Sequence, residues 1–208
     1  MSYARNSSFP KKTGLSKKTG LSEKAGLSKK AGLSRITKFS FVPRHSFRDA
    51  ADISAEFLGM LGVRLLMLDL DNTIASYDEQ KPSAEIAQWA SGLKSGGVRL
   101  LIVSNSRRRE RVNKFAEELD VGFVCCARKP SAKGVLGAME AAGYRAEESA
   151  LLGDQIYTDA LAANRAGIVS IAVRPRSLKN PLLALRYALE TPFRAAARLR
   201  RQEGRLNE

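Results

Sequence analysis

At 208 residues the chain can form one domain of ordinary size with extensions, and its formal charge of +14 sits at the two ends: net +11 over residues 1–48, −3 over 49–173 and +6 over 174–208. The only cysteines, Cys125 and Cys126, are adjacent, and His45 is the single histidine, which argues against a disulfide framework, a Cys/His zinc site and Ser-His-Asp catalysis. No apolar run approaches the ~18 residues of a membrane-spanning helix, the basic N-terminus has no apolar stretch of a secretory signal, and a reducing cytoplasm is the expected compartment.

Residues 11–34 repeat a six-residue unit: KKTGLS, KKTGLS, EKAGLS, KKAGLS. One leucine per unit buries too little surface to offset the entropy of ordering the chain, so residues 1–40 are expected to be a disordered basic tail, an electrostatic tether or a passive one. A domain is expected over residues 41–176. Phe47–Leu61 spaces its apolar residues as a helix does. Strands are predicted at 63–68, 98–103, 122–127, 150–152 and 168–173. Helices are predicted at 83–94, 107–119, 131–142 and 156–166. Continuous apolar strands alternating with helices predict a parallel sheet covered on both faces, a doubly wound Rossmann-like α/β fold. Asn180-Pro181 and Thr191-Pro192 each pair an N-cap residue with proline, so residues 177–208 are expected to form two short helices. Leu182, Leu185, Ala188 and Leu189 would line the first, and Arg194, Arg198, Arg201 and Arg205 one stripe of the second.

In such folds reactive groups gather at the carboxyl ends of the strands. Four polar clusters fall there: Asp69-Leu70-Asp71-Asn72-Thr73, Ser104-Asn105, Arg128-Lys129-Pro130 and Gly153-Asp154, with Asp159 five residues on. Together they suit phosphoryl transfer. Asp69 and Asp154 offer hard oxygen ligands for Mg²⁺, and the backbone carbonyl of Asp71 can join them. Asp69 can attack phosphorus, while Asp71, projecting the same way from extended chain, can act as general acid and then base. Ser104 and Lys129 would hold the phosphoryl oxygens, and Asp159 would orient metal-bound water.

These motifs resemble those of the haloacid dehalogenase superfamily. Asp-x-Asp-Asn-Thr, Arg-Lys-Pro and Gly-Asp-Gln-x-x-Thr-Asp resemble its YqeG-like, IIIA-type branch, which is similar to the phosphatidylglycerophosphate phosphatases. The resemblance covers about residues 41–175. It implies a Mg²⁺-dependent phosphatase with Asp69, Asp71, Ser104 and Lys129 as catalytic residues, Asp69, Asp71 and Asp154 at the metal, and Thr73, Asn105 and Asp159 around them. Enzymes of this superfamily commonly insert a cap between motifs, but neither Asp71–Ser104 nor Ser104–Lys129 has room for one. An open site admits a bulky phosphomonoester such as a phospholipid. The basic arms would then meet an anionic membrane surface, making the protein peripheral at the inner face of the membrane. A phosphoprotein or polynucleotide end is the alternative substrate, and a non-catalytic binding module the alternative class. Nucleic acid is the less favoured partner, because the aromatic residues are too sparse for a base-stacking platform.

Overall fold

A computed structural model describes residues 40–206, with side chains through residue 199. The tail expected over residues 1–40, apart from Ser40, lies outside the described residues, as do the side chains of Arg201 and Arg205.

Six parallel strands form one sheet in the order β1-β6-β5-β2-β3-β4. They are β1 (His45–Ser46), β2 (Leu65–Leu68), β3 (Arg99–Val103), β4 (Gly122–Val124), β5 (Ser149–Gly153) and β6 (Val169–Ala172). The helices are α1 (Ala55–Met60), α2 (Ala84–Ser95), α3 (Arg109–Leu119), α4 (Ala132–Ala141), α5 (Leu161–Ala166) and α6 (Pro181–Leu206). Strand side chains alternate between two cores. Leu66, Leu68, Leu100, Ile102 and Leu152 join Ile86, Leu93, Val112 and Phe115 from α2 and α3 on one face. Leu65, Met67 and Leu151 join Val135, Ala138 and Ala162 from α4 and α5 on the other. Both faces are covered, which is why β2 is apolar at every position. The strand order reverses at β2, which pairs with β3 on one side and β5 on the other. The crevice beyond the carboxyl ends of β2 and β5 is therefore the expected ligand site of such a sheet.

Three elements differ from expectation. The single helix anticipated over Phe47–Leu61 is divided. His45–Ser46 pairs with Ile171–Ala172 as an edge strand. Asp49 and Asp52 close a reciprocal capping box around one tight turn at Ala50–Asp52, and Ser54 then caps α1 by accepting the Phe57 N–H. Two N-caps so close together each satisfy local donors and leave Ile53 extended between them. The helix anticipated at 156–166 opens with a widened π turn, Ile156–Ala160. Finally, the two C-terminal helices are one: α6 runs through Pro192. A proline inside a helix costs about 3 kcal/mol, and anchors on both sides of it offset that cost. Glu190 and Arg194 pair at 3.2 Å across it. The Phe193 ring packs against Phe41 and Tyr157, with centroids 5.6 and 6.0 Å apart. Ala197 is fully buried.

These anchors also set the faces of α6, which the sequence left open. Leu182, Leu185 and Leu189 point outward, 74%, 59% and 59% exposed, whereas Arg194 is buried and only Arg198 of the described stripe faces solvent.

Candidate active site

Between β2 and α2 the chain makes a tight loop over Asp69–Ala75. Three amides, those of Thr73, Ile74 and Ala75, donate to the Leu70 carbonyl, and Asn72 takes a left-handed backbone (φ 65°) that asparagine tolerates better than most residues. The Asn72 side chain clamps the segment after β6, donating to the Ser177 carbonyl and accepting its N–H, both at 2.8 Å. This loop turns the carboxylate of Asp69 into the crevice, where it meets the end of β5.

Thr73 links the two strand ends. Its hydroxyl lies 3.0 Å from Asp69 Oδ2 and 3.3 Å from Asp154 Oδ1, and it accepts the Asp154 N–H at 2.9 Å. Lys129 Nζ donates to Asp69 Oδ1 (2.7 Å) and to the Val103 carbonyl (2.8 Å), and pairs by charge with Asp159 Oδ1 at 2.8 Å. Asn105 fixes the lysine's backbone, accepting the Lys129 N–H at 2.8 Å and donating to its carbonyl at 2.9 Å. Ser104, buried beside them, accepts the Ser106 N–H through Oγ at 3.0 Å. The widened turn after β5 lays Asp159 across Gly153, where a Cβ on residue 153 would collide with the Asp159 carboxylate. A glycine there is what lets the fourth cluster close.

Asp69, Asp154 and Asp159 are all buried, and their oxygens lie within 4.8 Å of one another. Burial pushes the Asp69 carboxyl up to about 6, with Lys129 opposing the rise and Asp159 adding to it. Asp154 is raised well above the usual carboxylate range by burial and by the charges of Asp159 and Asp69. Burial alone would depress Lys129, but Asp159 and Asp69 outweigh it and hold the ammonium above its ordinary value. Lys129 pairs with two of the three crowded carboxylates, and Asp154 Oδ2 and Asp159 Oδ1 are buried with no hydrogen bond. Hard, convergent oxygens with an orphaned lone pair fit a small divalent cation. The cluster can hold a metal through Asp69 and Asp154, with Asp159 beside them.

Asp71 stands apart from this cluster. Its carboxylate turns to Arg111, whose Nη1 donates to Oδ1 at 2.5 Å. Arg111 is itself buried and fixed by the carbonyls of Glu79 (3.0 Å) and Ser76 (2.8 Å). No sequence motif marks Arg111, although it occupies the same buried face of α3 as Val112, Phe115 and Leu119, and a charge on an apolar face is a legible signal.

The other unanticipated residues come from α6 and from the loop after β2. Arg194 donates to the carbonyls of Val173 and Asp154 and pairs with buried Glu190. Arg186 reaches Asp154 Oδ2 at 3.7 Å. Tyr77 stands at the rim, 43% exposed, its phenol pushed up by burial and by the negative charges of Asp154 and Asp71. As expected, no cap domain intervenes: one helix and one strand lie between Asp71 and Ser104, and again between Ser104 and Lys129.

The family model of the haloacid dehalogenase-like hydrolases matches residues 21–167. The "Probable phosphatase YqeG" of Bacillus subtilis (strain 168) is 33% identical over 135 residues, covering 65% of this chain and 78% of that protein. Among solved structures, the hypothetical protein XCC2798 from Xanthomonas campestris is similar with a TM-score of 0.46 and 15% identity, over 67% of this chain and 79% of that one. The 3-deoxy-D-manno-octulosonate 8-phosphate phosphatase from Moraxella catarrhalis, solved with magnesium, phosphate and KDO, is similar with a TM-score of 0.43 and 15% identity, over 67% of this chain and 95% of that one.

Proposed function

Since the chain belongs to the haloacid dehalogenase-like hydrolase family and is a phosphatase, we propose that it hydrolyses phosphate monoesters through an aspartyl-phosphate on Asp69, with Mg²⁺ as cofactor and phosphatidylglycerophosphate as substrate, giving phosphatidylglycerol. The observation that supports the chemistry best is the convergence of Asp69, Lys129, Asp154 and Asp159 at the point where the strand order reverses.

In this reading Asp69 and Asp154, with the Asp71 carbonyl, hold Mg²⁺, which offsets phosphoryl charge when bound. A carboxylate oxygen of Asp69 forms a bond to phosphorus while the bond from phosphorus to the alcohol oxygen breaks. Asp71 gives that oxygen its proton. Arg111 holds one oxygen of Asp71, so the proton would be carried on the other. Asp71 then takes a proton from water, whose oxygen attacks the acyl phosphate, releasing inorganic phosphate and restoring Asp69. The Lys129 ammonium counters charge growing on the phosphoryl oxygens. Ser104 accepts the Ser106 N–H and so keeps its own proton for one of them.

The lipid substrate rests on the outer face of α6. Leu182, Leu185 and Leu189 form an exposed apolar stripe on a helix whose other side is fastened to the Asp154 loop. Among the described residues no helix is long and apolar enough to cross a membrane, so the proposed contact is shallow, at an anionic surface that the basic arms also favour. A second reading, hydrolysis at a polynucleotide end, is favoured by a cleft of ≈ 580 Å³ in which Arg107, Arg108, Arg109, Arg111 and Lys114 outnumber Glu110, with Gln80 beside them.

Phosphate release with and without Mg²⁺ tests these readings. The panel contains phosphatidylglycerophosphate in vesicles, a 3′-phosphorylated oligonucleotide, a phosphopeptide and a small aryl phosphate. The lipid reading expects Mg²⁺-dependent turnover fastest on the lipid, and a selective loss on it when Leu182, Leu185 and Leu189 are replaced by Ser. Preference for the oligonucleotide would overturn the lipid substrate, and full activity in excess chelator would overturn the metal.

A further inference from the structure

Helix α6 carries a second guanidinium to the carboxylate cluster, and it is bonded quite unlike the first. Arg194 spends its donors on fastening: Nη1 donates to the Val173 carbonyl at 2.7 Å, and Nη2 to the Asp154 carbonyl and to Glu190. Arg186 does not. Its Nη2 lies 3.7 Å from Asp154 Oδ2 and its Nε 3.8 Å from Glu190 Oε1, close enough for charge attraction but beyond hydrogen-bonding distance. The Arg186 Nε is buried yet makes no hydrogen bond, and the Asp154 oxygen that Nη2 approaches has none either. Both arginines leave Nε without a partner, but one placed only to hold the helix down would spend its Nη donors on carbonyls, as the neighbour two turns away does.

Position reinforces the point. At helical spacing Arg186 stands on the border between the exposed leucines and the buried pair Glu190 and Arg194. Its side chain is 28% exposed, so the guanidinium spans the buried cluster and solvent. Glu190, only 1% exposed and bound by Arg194, stands behind it at 3.8 Å. The result is a planar fork of donors, not hydrogen-bonded within the fold, beside a carboxylate that the phosphatase reading assigns to the metal. Such a fork matches the oxygens of a tetrahedral dianion.

We propose that Arg186 binds a phosphoryl oxygen of the substrate, which makes α6 part of the active site and places phosphate capture on the helix that bears the exposed leucines. The ligand class is a phosphate monoester dianion, with inorganic phosphate as the product that binds the same group. Glu190 and Arg194 are positioning residues for it. This inference rests on the phosphatase reading above, but it can be measured without turnover.

The test uses the full chain with Arg186→Ala, Arg186→Gln and Arg186→Lys, saturating Mg²⁺, and a small aryl phosphate so that no lipid contact enters. Steady-state kinetics are paired with calorimetric titration of inorganic phosphate. Losing a charged hydrogen-bond donor should raise KM and weaken phosphate binding by roughly 10–100-fold, with a smaller change in kcat. Lysine should recover only part, because it keeps the charge and loses the fork. Circular dichroism and the unfolding midpoint check the fold; if alanine does not fold, the glutamine and lysine variants decide. A folded variant lacking the guanidinium, with KM and phosphate affinity within twofold of wild type, overturns the proposal and leaves Arg186 a tether for α6. A wild type that binds phosphate but hydrolyses no phosphomonoester sinks the phosphatase reading alone, and the calorimetric comparison still decides Arg186. A wild type that does neither overturns both.

Discussion

Replacing Asp69 by asparagine should stabilise the protein in the absence of divalent metal, and only above a particular pH. In the folded chain burial lets Asp69 hold its proton up to about 6, against an ordinary 3.8. Between these values the folded state binds more protons than the unfolded one, so this residue's contribution to stability falls as pH rises through that window and is level above it. The gap corresponds to about 3 kcal/mol, or on the order of 6–12 °C in unfolding midpoint for a domain of this size. Asparagine has the shape without the charge. In chelator, Asp69→Asn and wild type should therefore unfold alike near pH 4, and the variant should be the more stable of the two by pH 7. Millimolar Mg²⁺ should close or reverse that difference, because a cation bound to the charged carboxylate stabilises wild type by mass action. Turnover should be abolished in the variant throughout. Thermal unfolding across pH 4–8, with chelator and with Mg²⁺, measures this. A difference between the proteins that stays flat with pH in chelator would refute a buried carboxylate whose ionisation is costly.

Three further outcomes are expected. Asp71→Asn should slow turnover by roughly 10²–10⁴-fold, and less for aryl esters, whose leaving oxygen needs no proton; equal loss on alkyl and aryl substrates would remove Asp71 from proton transfer. Arg194→Ala strips buried Glu190 of its closest cation and frees the Val173 and Asp154 carbonyls, so stability should fall by about 3–5 kcal/mol; a midpoint within about 2 °C of wild type would mean that α6 is not held through this contact. Gly153→Ala sets a Cβ against the Asp159 carboxylate, so a loss of about 1–3 kcal/mol is expected together with a marked drop in kcat, and normal activity would show that Asp159 can shift at no cost.

Much of the fold is local information. The strands β2, β3, β5 and β6 are apolar at almost every position because both faces of a parallel sheet are buried, and that texture is visible in Leu65–Leu68 and Val169–Ala172 without any partner. The placing of Asp69, Ser104, Lys129 and Asp154 after successive strands is equally legible, since the strand order of a doubly wound sheet brings those ends to one crevice. Where short-range signals compete, the sequence is ambiguous: Asp49, Asp52 and Ser54 offer caps that divide a helix its apolar spacing would join. The C-terminal helix shows what only tertiary structure decides. Pro192 reads as a start signal, and the leucines mark an apolar face without saying what it meets. Yet the carboxyl end of the sheet presents bare carbonyls at Val173 and Asp154 and a crowded set of carboxylates, and these call for a guanidinium rather than a methyl group. Arg194 and Glu190 therefore turn inward and the leucines outward. Arg111 follows the same logic on α3, drawn into an apolar face by Asp71 and two carbonyls forty and thirty-odd residues away. The pattern of a helix records which residues could be buried, but which charge is worth burying depends on what the distant chain leaves unsatisfied at that spot.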